Sequence, residues 1–113
     1  MPRQNYRNWT YTDANEFVKG ARGSNYHRST GQVTTELHWT LRDTVVLQYH
    51  NTAIVEWCKD GTIAIDTGGW DTKTTLRRIN EYVPSIQVHT VKGQLMVNGK
   101  SWEGSWAKVS DFV

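Results

Sequence analysis

DTGGWDTKTTLRRINEYVP, residues 66–84, sets a glycine turn, a run of hydroxyl side chains and an amphipathic segment one after another. The apolar run just before it, Thr62-Ile63-Ala64-Ile65, has the character of a strand. Gly68-Gly69 supplies the backbone freedom for a sharp reversal that β-carbons would resist, and Trp70 sits at the elbow. Asp71 or Thr72 is then a natural N-cap, its side-chain oxygen accepting one of the orphan N–H groups of a first helical turn. A helix over residues 72–83 follows. Leu76, Ile79 and Val83 fall at offsets of three and four and form one inward stripe, while Lys73, Arg77, Asn80 and Glu81 lie mostly on the other side. Pro84 ends the helix, because the residue before a proline is pushed out of the α region.

Working outward, strands dominate. Val33, Thr35, Leu37, Trp39 and Leu41 alternate with polar residues at the period of a half-buried strand. Arg42-Asp43 reads as a tight turn. Thr44 to His50 and Thr52 to Cys58 are both β-rich, with Asn51 as a break or bulge between them. Lys59-Asp60-Gly61 is a hairpin signal that pairs Ile54–Trp57 with Thr62–Ile65. Beyond the helix, Ile86, Val88 and Thr90 alternate, and Lys92-Gly93 and Asn98-Gly99 mark two further turns around Gln94–Val97. At the N-terminal side, residues 1–11 have no period and read as an arm or edge strand. Thr12-Asp13 caps a short helix, Ala14–Lys19, closed by Gly20, and Ala21–Gly31 has the composition of a loop. The Trp-rich tail, 101–113, spaces Trp102, Trp106, Val109 and Phe112 by three and four, although Gly104 and Ser105 weaken a helix there. The sum is an α+β single domain: an antiparallel sheet of five or six strands with one main helix packed on a face, its edges covered by the tail or the N-terminal arm.

At 113 residues the chain is long enough to bury roughly 65% of the surface its unfolded form exposes, and it folds without staples. A single cysteine, Cys58, excludes an internal disulfide. The first residues lack the apolar core of a signal peptide and no window approaches a membrane span, which points to the cell interior and away from a membrane. The net charge of +2 is mild. Its distribution is not: within residues 1–28, Arg3, Arg7, Lys19, Arg22 and Arg28 stand against only Asp13 and Glu16, interleaved with Tyr6, Trp9, Tyr11, Tyr26 and His27. Six tryptophans and five tyrosines exceed what one small core needs, so some should lie on the surface, where aromatics make contacts.

The run from Tyr49 to Asn80 carries His50, Thr52, Ile54 and Val55, then Asp60-Gly61-Thr62, then Thr67-Gly68-Gly69-Trp70 with Thr72, Thr74, Thr75, Arg78 and Asn80. In these positions it resembles a family of short bacteriophage and prophage proteins with a Thr-Gly-Gly-Trp-x-Thr-x-Thr-Thr-x-x-Arg-x-Asn segment. A looser likeness reaches from Asn25-Tyr26 to the Lys92-Gly93 turn, leaving the first twenty residues and the Trp-rich end outside it. Ala53 stands where an acidic residue is frequent in the family. The resemblance implies a viral or prophage source, and hence the host cytoplasm, and brings no activity with it.

Chemistry therefore rests on the residues. His27, His38, His50, His89 and Cys58 include no pair at the close spacing of a zinc site, so no metal and no cofactor is expected, and His38 reads as a solvated strand residue. His50 beside Asp66 or Asp71 lacks a nucleophile elbow, a paired-carboxylate signature or a P-loop, and no catalytic residue is assigned. The leading reading is a small binding module for nucleic acid or another phosphate-bearing ligand. Trp70, Thr72, Lys73, Thr74, Thr75, Arg77 and Arg78 would form an anion corner at the helix start, and Tyr26, Arg28 and His50 would add to the surface. The alternative is an interaction protein that binds a host or virion protein, or sequesters a signalling nucleotide, with Trp9, Trp102 and Trp106 as anchors. Oligomerisation stays open in either case.

Overall fold

The alternation over residues 33–41 and the turn signals after it become the spine of a six-stranded antiparallel sheet. A computed structural model of the protein describes residues 9–20, 27–32, 34–69 and 72–113. The sheet runs β1 (His27–Ser29), β2 (Thr35–Trp39), β3 (Val45–Tyr49), β4 (Thr52–Trp57), β5 (Ile63–Ile65) and β9 (Ala107–Lys108) in spatial order. β6 (Val88–Val91), β7 (Gln94–Val97) and β8 (Lys100–Ser101) form a separate three-stranded meander. With α1 (Tyr11–Lys19) and α2 (Lys73–Tyr82) the architecture is α+β. The expected α+β arrangement, a six-stranded antiparallel sheet with one main helix and a short N-terminal one, is what the described residues form, and the meander adds a second, small sheet.

Local chemistry explains the boundaries. The long strand expected to Leu41 stops at Trp39 because the Thr40 hydroxyl accepts the N–H groups of Arg42 and Thr44, closing a turn that leaves Leu41 fully exposed. His50-Asn51 is a two-residue hairpin turn rather than a break, both residues having positive φ (52° and 65°), the twist that joins antiparallel strands. The bulge lies further along β4: Leu47 faces Val55 and Gln48 faces Ala53, so Ile54 is the extra residue and both Ile54 and Val55 are buried. The Asp-Gly hairpin forms as expected, with Val55 opposite Ile65 and Trp57 opposite Ile63. The Lys92-Gly93 and Asn98-Gly99 turns share the positive-φ geometry of His50-Asn51.

Helix α1 begins earlier than its sequence suggested. Thr10 is the N-cap, and Asp13, inside the first turn, returns its carboxylate to the Thr10 N–H in a capping box. Its buried stripe is Ala14 and Val18. Within the segment read as a loop, residues 27–29 form β1, and the rest of the N-terminal arm, residues 1–8, lies outside the described residues.

Both helices pack on the same face of the large sheet. Trp39 on β2 donates its indole N–H to Asn15 of α1, Arg78 of α2 donates to Thr35 of β2, and the ring of Trp57 on β4 meets both Trp9 and Tyr82. Between the layers lie Leu37, Val45, Leu47, Val55, Trp57 and Ile65 from the sheet and Leu76, Ile79, Tyr82 and Val83 from α2 or its end. The face away from the helices carries Glu36, His38, Val46, Gln48 and Glu56. The tail covers the β5 edge, with Ile65 opposite Ala107 and Ala64 opposite Lys108, so its aromatic spacing belongs to a strand and a single 3-10 turn (Val109–Asp111) and not to an α-helix. Among the described residues no helix is long and apolar enough to cross a membrane.

The meander is tied to α2 by Asn80, whose side chain accepts from Val88 N at 2.7 Å and donates to Val88 O at 2.9 Å. Asn80→Ala removes both bonds and should lower stability by about 1–3 kcal/mol. Ile79→Ala, which empties a fully buried site, should cost about 2–5 kcal/mol. Urea melts on the two variants check both values, and an unchanged midpoint for Ile79→Ala would contradict the packing of α2 described above.

Candidate functional site

The corner between β5 and α2 is built by short polar side chains that fold back on the backbone. Asp66 Oδ1 accepts the N–H of Gly68 at 3.0 Å and Thr67 Oγ1 that of Gly69 at 3.3 Å. Both glycines are left-handed (φ 65° and 85°), a conformation that favours residues without a β-carbon. Thr67 is buried, and its N–H and hydroxyl both donate to Gly104 O, at 2.9 and 3.1 Å, fastening the corner to the tail. Thr72 is the N-cap of α2: its hydroxyl accepts the N–H of Thr75 at 3.3 Å and lies 3.0 Å from the Thr75 hydroxyl.

Three of the expected corner residues, Thr72, Lys73 and Arg77, are exposed here, and Thr74 is half-buried. No acidic residue occupies the first turn of α2, so no side chain within that turn offsets the positive end of the helix dipole. Trp106 directly precedes Ala107, the partner of Ile65, and is 46% exposed. Trp70, the expected elbow, and Tyr26 lie outside the described residues.

The other expected site residues are placed elsewhere, and Arg78, Thr75 and Arg28 make side-chain contacts within the fold. Arg78 points to β2: its Nε donates to Thr35 Oγ1 at 3.2 Å, its Nη1 lies 3.7 Å from Glu81 Oε1, and only 15% of its side chain is exposed. Glu81 in turn accepts from Gln32 Nε2 at 2.6 Å. Thr75 is buried. Arg28 donates from Nη1 to Phe17 O near the end of α1, at 3.0 Å, with its guanidinium 4.3 Å above the Phe17 ring. Gly20 leaves room for it, since a β-carbon there would stand 2.6 Å from Arg28 Nη1. His50 is exposed in the β3–β4 turn, where it lines a polar cavity of about 300 Å³ together with Ser29, Thr34, Thr35, Glu36 and Asn51. Of the proposed aromatic anchors, Trp102 is buried and Trp9 packs against the core, which leaves Trp106 as the exposed one.

One constellation escaped the sequence. β1 pairs with β2 so that His27 faces His38, and Glu36 lies two residues from His38 on the same face. The alternation of β2 already put Glu36 and His38 together, but their partner sat in a segment whose Gly, Ser, Asn and Arg content read as loop.

Cys58 is poorly suited to nucleophilic work. Burial pushes its thiol above the ordinary cysteine value, and the charges of Glu56 and Asp60 push it the same way against a smaller opposing effect of Arg42. At neutral pH it should react with a disulfide reagent more slowly than free cysteine, and faster reaction would show that this environment is misjudged. The two neighbouring arginines of α2 should also separate: Arg78→Ala should lower stability by about 1–3 kcal/mol, and Arg77→Ala should stay within about 0.5 kcal/mol of the parent. Paired thermal melts decide this.

The family model described as Kyanoviridae Gp96 protein matches residues 10–113, and the chain belongs to this phage protein family. The match takes in α1 and the Trp-rich end, both of which the motif resemblance left out. No curated protein and no solved structure matches the chain.

Proposed function

From membership of a phage family, we propose that the protein is a small binding module for single-stranded nucleic acid, engaged at the corner between β5 and α2. The observation that carries this reading is a helix start with no acidic residue in its first turn and with Lys73 and Arg77 exposed, at the end of a corner whose strand β5 is paired by a tail bearing the exposed Trp106. A base can stack on the indole while the neighbouring phosphate meets the N–H groups of the first turn and the two cations. The left-handed glycines bring the backbone close without side chains in the way. Thr72 and Thr74 add hydroxyls at the same end. The host cytoplasm is where such a ligand would be met.

The reading predicts a steep salt dependence, because each neutralised phosphate releases condensed counterions. Fluorescence anisotropy of a labelled single-stranded oligonucleotide should show affinity falling with salt, with a slope of roughly −0.7 for each phosphate contact. Lys73→Ala combined with Arg77→Ala should flatten that slope. Trp106→Ala should weaken binding by about 1–3 kcal/mol at every salt concentration. The melting temperature of each variant should hold, since these side chains are exposed. No binding, or binding indifferent to salt and to all three substitutions, overturns the proposal in favour of a protein partner.

A further inference from the structure

The face of the large sheet away from the helices holds a second group of residues that the corner does not use. His27 of β1 and His38 of β2 are directly opposed, their rings stacked at 5.1 Å between centroids and 21° between planes. Glu36 reaches both. Its Oε2 lies 3.4 Å from His27 Nδ1 and its Oε1 3.1 Å from His38 Nε2, and one ligand atom from each of the three residues falls within 4.8 Å of the other two.

Two observations distinguish this group from an ordinary surface ion pair. The Nε2 atom of His38 is shut off from solvent and has no hydrogen-bond partner, for although Glu36 Oε1 is close, the approach does not make a hydrogen bond. A buried nitrogen in that condition costs free energy unless something accepts its proton or takes its lone pair. Glu56 provides the contrast. It stands on the same face, is buried, and has its charge met by Arg42 Nη2 at 2.7 Å and by the Thr44 hydroxyl at 2.7 Å. Among the described residues the charged-group neighbours of Glu36 are imidazoles, which balance a carboxylate fully only when protonated.

We propose that His27, Glu36 and His38 bind a divalent transition-metal ion of the zinc class. Two imidazole nitrogens and a carboxylate oxygen are a ligand set that zinc takes, at bond lengths of about 2.0–2.2 Å, which in a tetrahedral site sets neighbouring ligand atoms roughly 3.3–3.5 Å apart. Each imidazole already stands at about that distance from one oxygen of Glu36, His27 from Oε2 and His38 from Oε1, so a turn of the carboxylate brings one oxygen to serve both. With three protein ligands, a fourth position is left for water or for an anionic group. Glu36 also lines the polar 300 Å³ cavity with Ser29, Thr34, Thr35, His50 and Asn51. The bond to the metal takes up the lone pair of His38 Nε2, and the ion supplies a positive charge to Glu36.

Titration of the intact chain with zinc chloride by calorimetry should show one site per chain, accompanied by a rise in melting temperature. Loss of an outer-shell partner typically costs ten- to a hundredfold in metal affinity, so removing a direct ligand in His38→Ala or His27→Ala should weaken binding by at least about tenfold. Glu36→Gln should weaken it as well, while His50→Ala and His89→Ala should leave it unchanged. A measurement on the unaltered protein guards against variants that fail to fold: cobalt, added alone, should shift the ring resonances of His27 and His38 in the proton NMR spectrum and spare those of His89. Absence of heat and of cobalt shifts overturns the proposal. So does binding that survives the loss of both His27 and His38, or cobalt shifts that fall on other histidines.

Discussion

Trp57 is the residue at which the separate parts of the chain meet. It is fully buried at the end of β4, its indole N–H donates to Trp9 O at 3.1 Å, and its ring lies 6.4 Å from that of Trp9 and 6.3 Å from that of Tyr82. Trp9 and Tyr82 close the triangle edge-on at 5.5 Å. The entry to α1, the centre of the sheet and the last turn of α2 are therefore fixed against one another by three aromatic rings. Burying a side chain of this size is worth roughly 4–6 kcal/mol. That weight lets a sheet with short strands at both edges, three residues in β1 and two in β9, hold its shape.

The polar groups of α2 are divided by the same packing. Once Leu76, Ile79 and Tyr82 face inward, the helical period turns Arg78 and Glu81 toward the rim of the core, where Thr35, Gln32 and one another satisfy them. Gln32 also accepts the Tyr82 hydroxyl at 3.1 Å, so the loop before β2 is locked to the helix. Arg77, one residue earlier than Arg78, is rotated away and stays exposed. Adjacent arginines in one motif thus have unlike roles, and the difference lies in about 100° of helical turn rather than in residue type.

Residues whose environment is set by near neighbours were legible in the sequence. The stripe of α2, the Asp-Gly hairpin and the alternation at Leu37 and Trp39 depend on local spacing, and the structure agrees with each. Where a distant partner decides, the sequence was silent. The strand character of His27–Ser29 comes from pairing with β2, and the tail's aromatic spacing mimics a helix although Ala107 and Lys108 extend the sheet at β5. Thr40 shows a third case, a side chain competing for backbone N–H groups and ending a strand whose apolar period continues to Leu41. At the candidate corner, the glycine turn, a cap at Asp71 or Thr72 and the exposed Lys73 and Arg77 could be read directly. The position of Trp106 next to the strand that pairs with β5 could not, because it depends on the tail returning to the sheet.

The arrangement of the tail also explains why the corner can be both polar and firm. A turn carrying two left-handed glycines has high conformational entropy when unfolded, and the two local bonds from Asp66 and Thr67 offset only part of that cost. Here the rest of the offset comes from outside it, because Thr67 is buried and donates twice to Gly104, while Trp102 a little earlier is sealed in the core and donates its indole N–H to Ser105 O at 2.8 Å. The glycine turn and the tail loop therefore order each other. Trp106 is the next residue after that anchored loop, so its ring can remain exposed while its backbone is fixed, and a ligand stacking on it would have only side-chain freedom left to quench.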